Sequence, residues 1–267
     1  MQEDGLKDEF EKLRLRHKVL KEQVADQIEL YTHLVDTVGP NIESQYMMLV
    51  GQLEYKAMAL ELEVKRWKRR FTLRQMYINR GEKPDPVAIE NLLVQEFSEW
   101  REKLVALSEK LGGAKLQFDL VKMSDADTNT IRCDYLKAVK KLHPDLNPNL
   151  SDAAKSLWNQ IQRTYADKNW RQLKFLVSLV DEVVSGNADF AATPDGLEEL
   201  RTACKFLEAK GREVAKEIAD LKATVPFTYE VLLEDPDLLG RKRDELEKKI
   251  EELENAVAKY ERMWNNG

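Results

Sequence analysis

Cysteine is scarce: Cys133 and Cys204 are the two in a chain of 267 residues. They fall on separate predicted helices without metal-ligand spacing, so neither a disulfide framework nor a cysteine-built metal site is expected. Two reduced thiols in a cytoplasmic protein are the simpler reading. Glycine and proline are also sparse, at 11 and 8 residues, which leaves little turn chemistry for a β-rich fold. Long apolar runs are missing: the longest, residues 175–180, already contains Ser178 and is far too short to cross a bilayer. The start, Met1-Gln2-Glu3-Asp4, is acidic and has no apolar core, so no secretory signal is expected. Basic excess is lacking as well, since 42 Lys and Arg against 48 Asp and Glu leave a net charge of −6, which argues against bulk nucleic-acid binding.

What the chain has in abundance is charge, 34% of residues, laid out with helical periodicity. Apolar positions recur at steps of three and four from Leu6 through Phe10, Leu13, Leu20 and Val24 to Val38, where Gly39-Pro40 is expected to break the helix. A second run goes from Ile42 to Ile78 and ends at the turn Gly81-Glu82-Lys83-Pro84-Asp85-Pro86. A third, from Ile89 to Leu111, is expected to stop at Gly112-Gly113. Two more runs, Leu197 to Leu221 and Leu239 to Trp264, each fit a heptad frame, as coiled coils and helical hairpins require. Tight turns favour antiparallel neighbours; a homodimer stays open, because periodicity does not report strand number. Trp67, Phe71, Trp100 and Trp264 at seam positions read as core anchors, and His17 and Gln27 as tolerated polar residues.

The chemistry is concentrated in one place. A basic, apolar-striped segment with Ile131, Tyr135, Ala138, Val139 and Leu142 leads into His143-Pro144-Asp145. Asp127 or Thr128 can cap this helix, with Ser124 and Asp125 as competing starts. Lys137, Lys140 and Lys141 share one exposed patch at helical spacing, and Arg132 extends it. Pro144 ends the helix and leaves a stiff loop, after which Ser151 caps a second helix with Leu157, Trp158, Ile161 and Tyr165 on its apolar face.

These residues resemble a known module. Ile131-Arg132-x-x-Tyr135-x-Lys137-x-x-x-Lys141-Leu142-His143-Pro144-Asp145-x-Asn147-Pro148, followed by Trp158-x-x-Ile161-x-x-x-Tyr165, is similar to helices II and III of the J-domain of DnaJ-like co-chaperones, over residues 127–166. The resemblance implies docking of the His-Pro-Asp loop and the basic helix on a DnaK-type heat-shock chaperone, whose ATP hydrolysis is thereby stimulated. On this chain Asp145 would accept a cationic group of the chaperone, with His143 and Pro144 holding its geometry. Arg132, Lys137, Lys140 and Lys141 would steer the encounter, and Tyr135 and Asn147 would add secondary contacts. Leu136 and Leu146 depart from the family pattern, standing where basic residues are common. No Tyr-x-x-Leu-Gly helix I precedes Asp127, so residues 100–120 are expected to take its place, with residues 169–184 forming a packing helix in place of the fourth. A glycine/phenylalanine-rich linker and a cysteine-rich zinc region are both lacking, as in divergent J-domain proteins that tie a chaperone to one task.

The expectation is therefore an all-α protein with elongated helical hairpins or coiled coils flanking a small central hairpin. Residues 1–118 would form an N-terminal long-helix region, 119–185 the J-domain-like module, and 186–267 a C-terminal antiparallel hairpin. It would be a co-chaperone and no enzyme, without cofactor or metal, its arms holding an unknown client or scaffold. Two plainer readings stand beside this one. Asp145 could simply cap the segment after the turn, or the chain could be a coiled-coil adaptor whose module no longer activates a chaperone. An acid–base role for His143 and Asp145 lacks a nucleophile and a phosphate-binding loop. The basic run Lys65-Arg66-Trp67-Lys68-Arg69-Arg70 is read as a solvated face pairing with acids of a neighbouring helix rather than as a nucleic-acid surface.

Overall fold

The structure, a computed structural model, describes residues 2–120, 125–184 and 190–265, with side chains at 6–114, 128–181, 183–184 and 190–265. The described residues are all-α and contain no strand. The helices are α1 (Gln2–His33), α2 (Gly39–Tyr46), α3 (Gln52–Asn79), α4 (Pro86–Glu96), α5 (Ser98–Leu120), α6 (Asp125–Leu142), α7 (Asp152–Ala166), α8 (Trp170–Ser178), α9 (Val180–Val183), α10 (Pro194–Lys222), α11 (Glu230–Glu234) and α12 (Pro236–Asn265). Two compact units emerge, each built from separated stretches of chain: unit 1 from residues 1–40 and 122–227, unit 2 from 41–121 and 228–267. The expected boundary at 118 falls close to the division after residue 121, whereas the one at 185 lies inside unit 1, and each expected end region is shared between the two units. A heptad seam specifies a face to bury and leaves open which other seam buries it.

Gly39-Pro40 does not break the helix. Leu34–Val38 forms a π-turn in which the Gly39 N–H reaches back to the Leu34 carbonyl. Widening the turn makes room for the Pro40 ring, which would otherwise meet the carbonyl four residues earlier, and the missing proline N–H is absorbed. A second π-turn, Met47–Gly51, joins α2 to α3. Gly112-Gly113 likewise fails to end its helix, which runs on to Leu120. The interruption comes earlier, at Phe97, which closes α4 with φ −108° and ψ 18°.

In unit 1, α1 and α10 lie parallel. Glu9 pairs with Arg201 and, further along both helices, Arg16 pairs with Glu208. Phe10 packs with Leu197 and Leu200 at one end of this seam, and Val24, Ala25 and Ile28 share a core with Leu207 and Val214 at the other. The helices α6, α7, α8 and α9 complete that core, with Tyr135, Val139, Leu142, Ile161, Tyr165 and Leu173 among its fully buried side chains. The packing helix expected over residues 169–184 is present as α8 and α9. The segment expected to replace helix I is not where the resemblance put it: α5 belongs to unit 2, and α1 is the long helix laid on α6.

In unit 2, α3 and α12 also run parallel, Lys56 meeting Glu254 and Phe71, further on, meeting Trp264. Thus α10 and α12, expected to form one antiparallel hairpin, belong to different units, and each pairs with a helix from the N-terminal third of the chain. Trp67, Phe71, Tyr260 and Trp264 cluster at the far end of the α3–α12 seam, as anchors should. Leu73 on α3 packs with Ile89 and Leu93 on α4. The basic run is paired as expected: Arg66 and Arg70 with Glu90, Arg69 with Glu96, while Lys65 sits 3.6 Å from the Trp100 ring centroid. No helix among the described residues is long and apolar enough to cross a membrane.

Candidate functional site

The His-Pro-Asp loop joins two antiparallel helices. Tyr135 on α6 stacks on Tyr165 of α7 with ring centroids 4.2 Å apart, while His143, beyond the end of α6, meets the earlier Trp158 edge-on at 5.3 Å. α6 stops at Leu142 because Pro144 cannot continue it, and the Ser151 hydroxyl caps α7 by accepting from the Ala154 N–H at 3.2 Å. At its other end α6 begins by Asp125, before the expected Asp127 or Thr128 start; Ser124 lies outside the described residues.

Local hydrogen bonds fix the loop. The Leu146 and Asn147 amides both donate to the His143 carbonyl, at 3.0 and 2.9 Å. The buried Asn147 side chain donates to the carbonyls of Lys140 and His143, each at 3.2 Å, satisfying acceptors that a helix C-terminus leaves open. Its Oδ1 accepts from Lys21 Nζ of α1 at 2.6 Å. His143 Nδ1 accepts from the Asp145 N–H at 3.2 Å. Burial lowers the His143 pKa, with the nearby Lys210 adding to the effect and Asp145 opposing it. A neutral ring with an accepting Nδ1 matches that hydrogen bond. Pro144 is exposed at the tip, and Asp145 is half-buried beside it.

The candidate partner-binding residues do not share one free surface. Tyr135 is 1% exposed and belongs to the core, where burial pushes its phenol up to about 12. Asn147 is buried as well. Arg132 forms a two-pronged ion pair with Glu29 of α1, at 2.8 and 2.9 Å. Lys140 faces Asp26 of α1 at 3.7 Å, Lys141 pairs with Asp181 after α8, and Lys137 pairs with Asp134 on its own helix at 2.9 Å. Leu146, which departs from the family's basic pattern, is buried in the core, and Leu136 packs at its edge, because α1 covers that flank. Asp145 itself meets Lys210 of α10 at 3.0 Å.

The acids Asp26, Glu29 and Asp181 and the lysines Lys21 and Lys210 were missing from the expected site. They sit beside apolar seam positions of other helices, where a charge reads as an ordinary surface residue. Cys133 is exposed, Cys204 is buried, and both are free thiols. Among the described residues no cluster of three or more His, Cys, Asp or Glu side chains is placed to hold a metal. An open depression of about 300 Å³ on α3 is lined by Ala59, Leu62, Glu63, Arg66, Trp67 and Arg70, a set without histidine, cysteine or hydroxyl. Comparison with protein-family models, curated proteins and solved structures finds no match.

Proposed function

We propose that this protein is a co-chaperone of the J-domain type, which docks on a DnaK-type chaperone through the His143-Pro144-Asp145 loop and stimulates its ATP hydrolysis. One observation carries the reading. The loop is held rigid on an antiparallel helical pair, with the His143 ring locked against Trp158 and its Nδ1 accepting from the Asp145 amide. A rigid loop presents the Asp145 carboxylate to a cationic partner group with little ordering left to do on binding. Pro144, exposed at the tip, offers a stiff apolar contact, and Lys137 and Lys141 remain accessible enough to steer an acidic surface. Hydrolysis would belong to the chaperone, and this chain would contribute no catalytic group. The free thiols Cys133 and Cys204 suit a reducing cytoplasm, and the long helices would hold a client or scaffold.

The test is single-turnover ATP hydrolysis by a DnaK-type chaperone with the wild-type protein and with Asp145→Asn. Stimulation by the wild type that is lost in the variant is the expected result. No stimulation by a folded wild-type protein at saturating concentration would sink the reading.

One observation favours a second reading, a helical adaptor whose module no longer activates a chaperone. Arg132, Lys140, Lys141 and Asp145 all have partners within the chain. Under that reading partner binding is indifferent to Asp145→Asn.

A further inference from the structure

The carboxylate on which the co-chaperone reading turns is already in an ion pair. Lys210 Nζ of α10 lies 3.0 Å from Asp145 Oδ2, the lysine side chain 22% exposed and the aspartate 35%. A cation thus occupies the place where a chaperone's cationic group would have to sit.

Three features set how this contact can open: a tight approach of α10 to α1, an unsatisfied acceptor within that approach, and a second partner for the lysine. First, α10 reaches the loop by a close approach to α1 at Gly211, where an added Cβ would stand 3.3 Å from Gln27 Oε1 and 3.4 Å from Val24 Cγ2. Second, Gln27 Oε1 is buried at that approach without a hydrogen-bond partner, so the closed arrangement carries an unsatisfied acceptor that opening would hydrate. Third, Lys210 also pairs with Glu213 on its own helix at 3.2 Å, and this ion pair survives when Asp145 leaves. The closed state is therefore imperfectly satisfied, and the open state keeps the lysine partnered.

We propose that α10 is a releasable latch on the His-Pro-Asp loop: Lys210 holds Asp145 in place of a partner's cation, and a partner gains the loop by displacing Lys210 onto Glu213. The proposal rests on the co-chaperone reading and gives it a regulated form. The exchange replaces one cation by another at a single carboxylate. The partner must therefore bring an ammonium or guanidinium group, and whatever weakens the α1–α10 seam near Gly211 raises the docking-competent population.

The experiment titrates the full-length protein into a DnaK-type chaperone and reads ATP hydrolysis for wild type, Lys210→Met and Lys210→Arg, each with and without Asp145→Asn. Methionine keeps the apolar stem and removes the charge; arginine keeps both. Lys210→Met is expected to lower the half-saturating concentration by about three-fold or more, the scale of a partly exposed ion pair. Lys210→Arg should match wild type, and Asp145→Asn should abolish stimulation in every background. In the chaperone-free protein, hydrogen exchange at the Asp145, Leu146 and Asn147 amides should quicken several-fold in Lys210→Met. Equal half-saturation for wild type and Lys210→Met, with stimulation still dependent on Asp145, would overturn the latch and leave the co-chaperone reading standing. Absence of stimulation by every variant, with loop exchange faster in Lys210→Met, would instead remove the co-chaperone reading and with it any regulatory meaning of the contact.

Discussion

Arg132 separates the two roles that a basic residue on α6 can have. The resemblance assigns it to steering a chaperone; its contacts assign it to holding α6 on α1. Glu29 is 6% exposed at its side chain and Arg132 33%, and the guanidinium grips the carboxylate through two hydrogen bonds. Removing one member of a buried pair leaves the other charge desolvated and uncompensated, at a cost of about 3–5 kcal/mol. Here the arginine is a third exposed, so water reaches part of the pair, and Arg132→Met should fall lower, at about 2–3 kcal/mol. Hydrogen exchange at the buried amides of α6 reads this directly, because opening free energies convert to rate ratios. The expected acceleration is roughly 30- to 150-fold. Glu29→Gln in the same background removes the stranded charge, and the double variant should recover most of the loss. An Arg132→Met protein whose α6 amides exchange within two-fold of wild type would refute the argument and return Arg132 to the surface.

Other substitutions probe the rest of unit 1. Tyr135→Ala empties a core position 1% exposed and should lower stability by about 3–5 kcal/mol in chemical denaturation, whereas Tyr135→Phe should stay folded and keep whatever docking the wild type has. Gly196→Ala places a methyl against the Ala191 carbonyl at the start of α10, and a clearly lower melting temperature is expected, since that oxygen belongs to backbone. His33 is buried with its Nδ1 3.5 Å from the Tyr165 hydroxyl, and burial, seconded by Arg132 and opposed by Glu29, lowers its pKa from the usual 6.5. The unfolded chain therefore binds the proton first as pH falls, so His33 favours the fold above 6.5 and loses that contribution as pH drops from there to its folded pKa. The slope is at most about 1.4 kcal/mol per pH unit for the one proton. Melting curves from pH 7.5 to 5 should show this decline, and His33→Gln should make it shallower, His143 and His17, whose pKa values burial also lowers, supplying the remainder.

What the sequence made legible was local. Ser151 as a cap, Pro144 as a stop and the turn at Gly81 each depend on a few neighbouring residues, and each stands as expected. Helical periodicity showed which positions would be buried on α10 and α12, Leu200 and Leu207 on one, Leu246 and Ile250 on the other. It did not show what would bury them, because complementary seams carry no label. The parallel pairing of α1 with α10 depends on matching side chains 192 positions apart in the chain, and that of α3 with α12 spans a similar distance. Gly39-Pro40 misled for a different reason. A proline forbids an α-helical hydrogen bond, yet a π-turn removes the conflict without ending the helix.

The same distinction sorts the candidate site. Nine residues were expected to touch a partner, and their side chains divide by what surrounds them. Tyr135 and Asn147 are buried, and Arg132 is anchored to a buried acid, so these three make the hairpin and the shape of its loop. His143 stands between the groups, its ring spent on Trp158 and its Nδ1 on the Asp145 amide. The outward-facing set is Pro144, Asp145, Lys137, Lys140 and Lys141. Within it, Lys140 and Lys141 lean on acids of other elements, and Asp145 leans on Lys210. On the co-chaperone reading proposed above, partner binding on this loop would be an exchange of ion pairs, each internal pair released as an external one forms. Its affinity would depend on the difference between two similar interactions rather than on the strength of either. A basic helix with unpaired charges would attract any acidic surface; one whose charges are provisionally satisfied admits a partner able to replace several of them together. Under that reading the requirement would be a source of specificity, and it would come from the partners that α1, α9 and α10 supply rather than from the His-Pro-Asp loop.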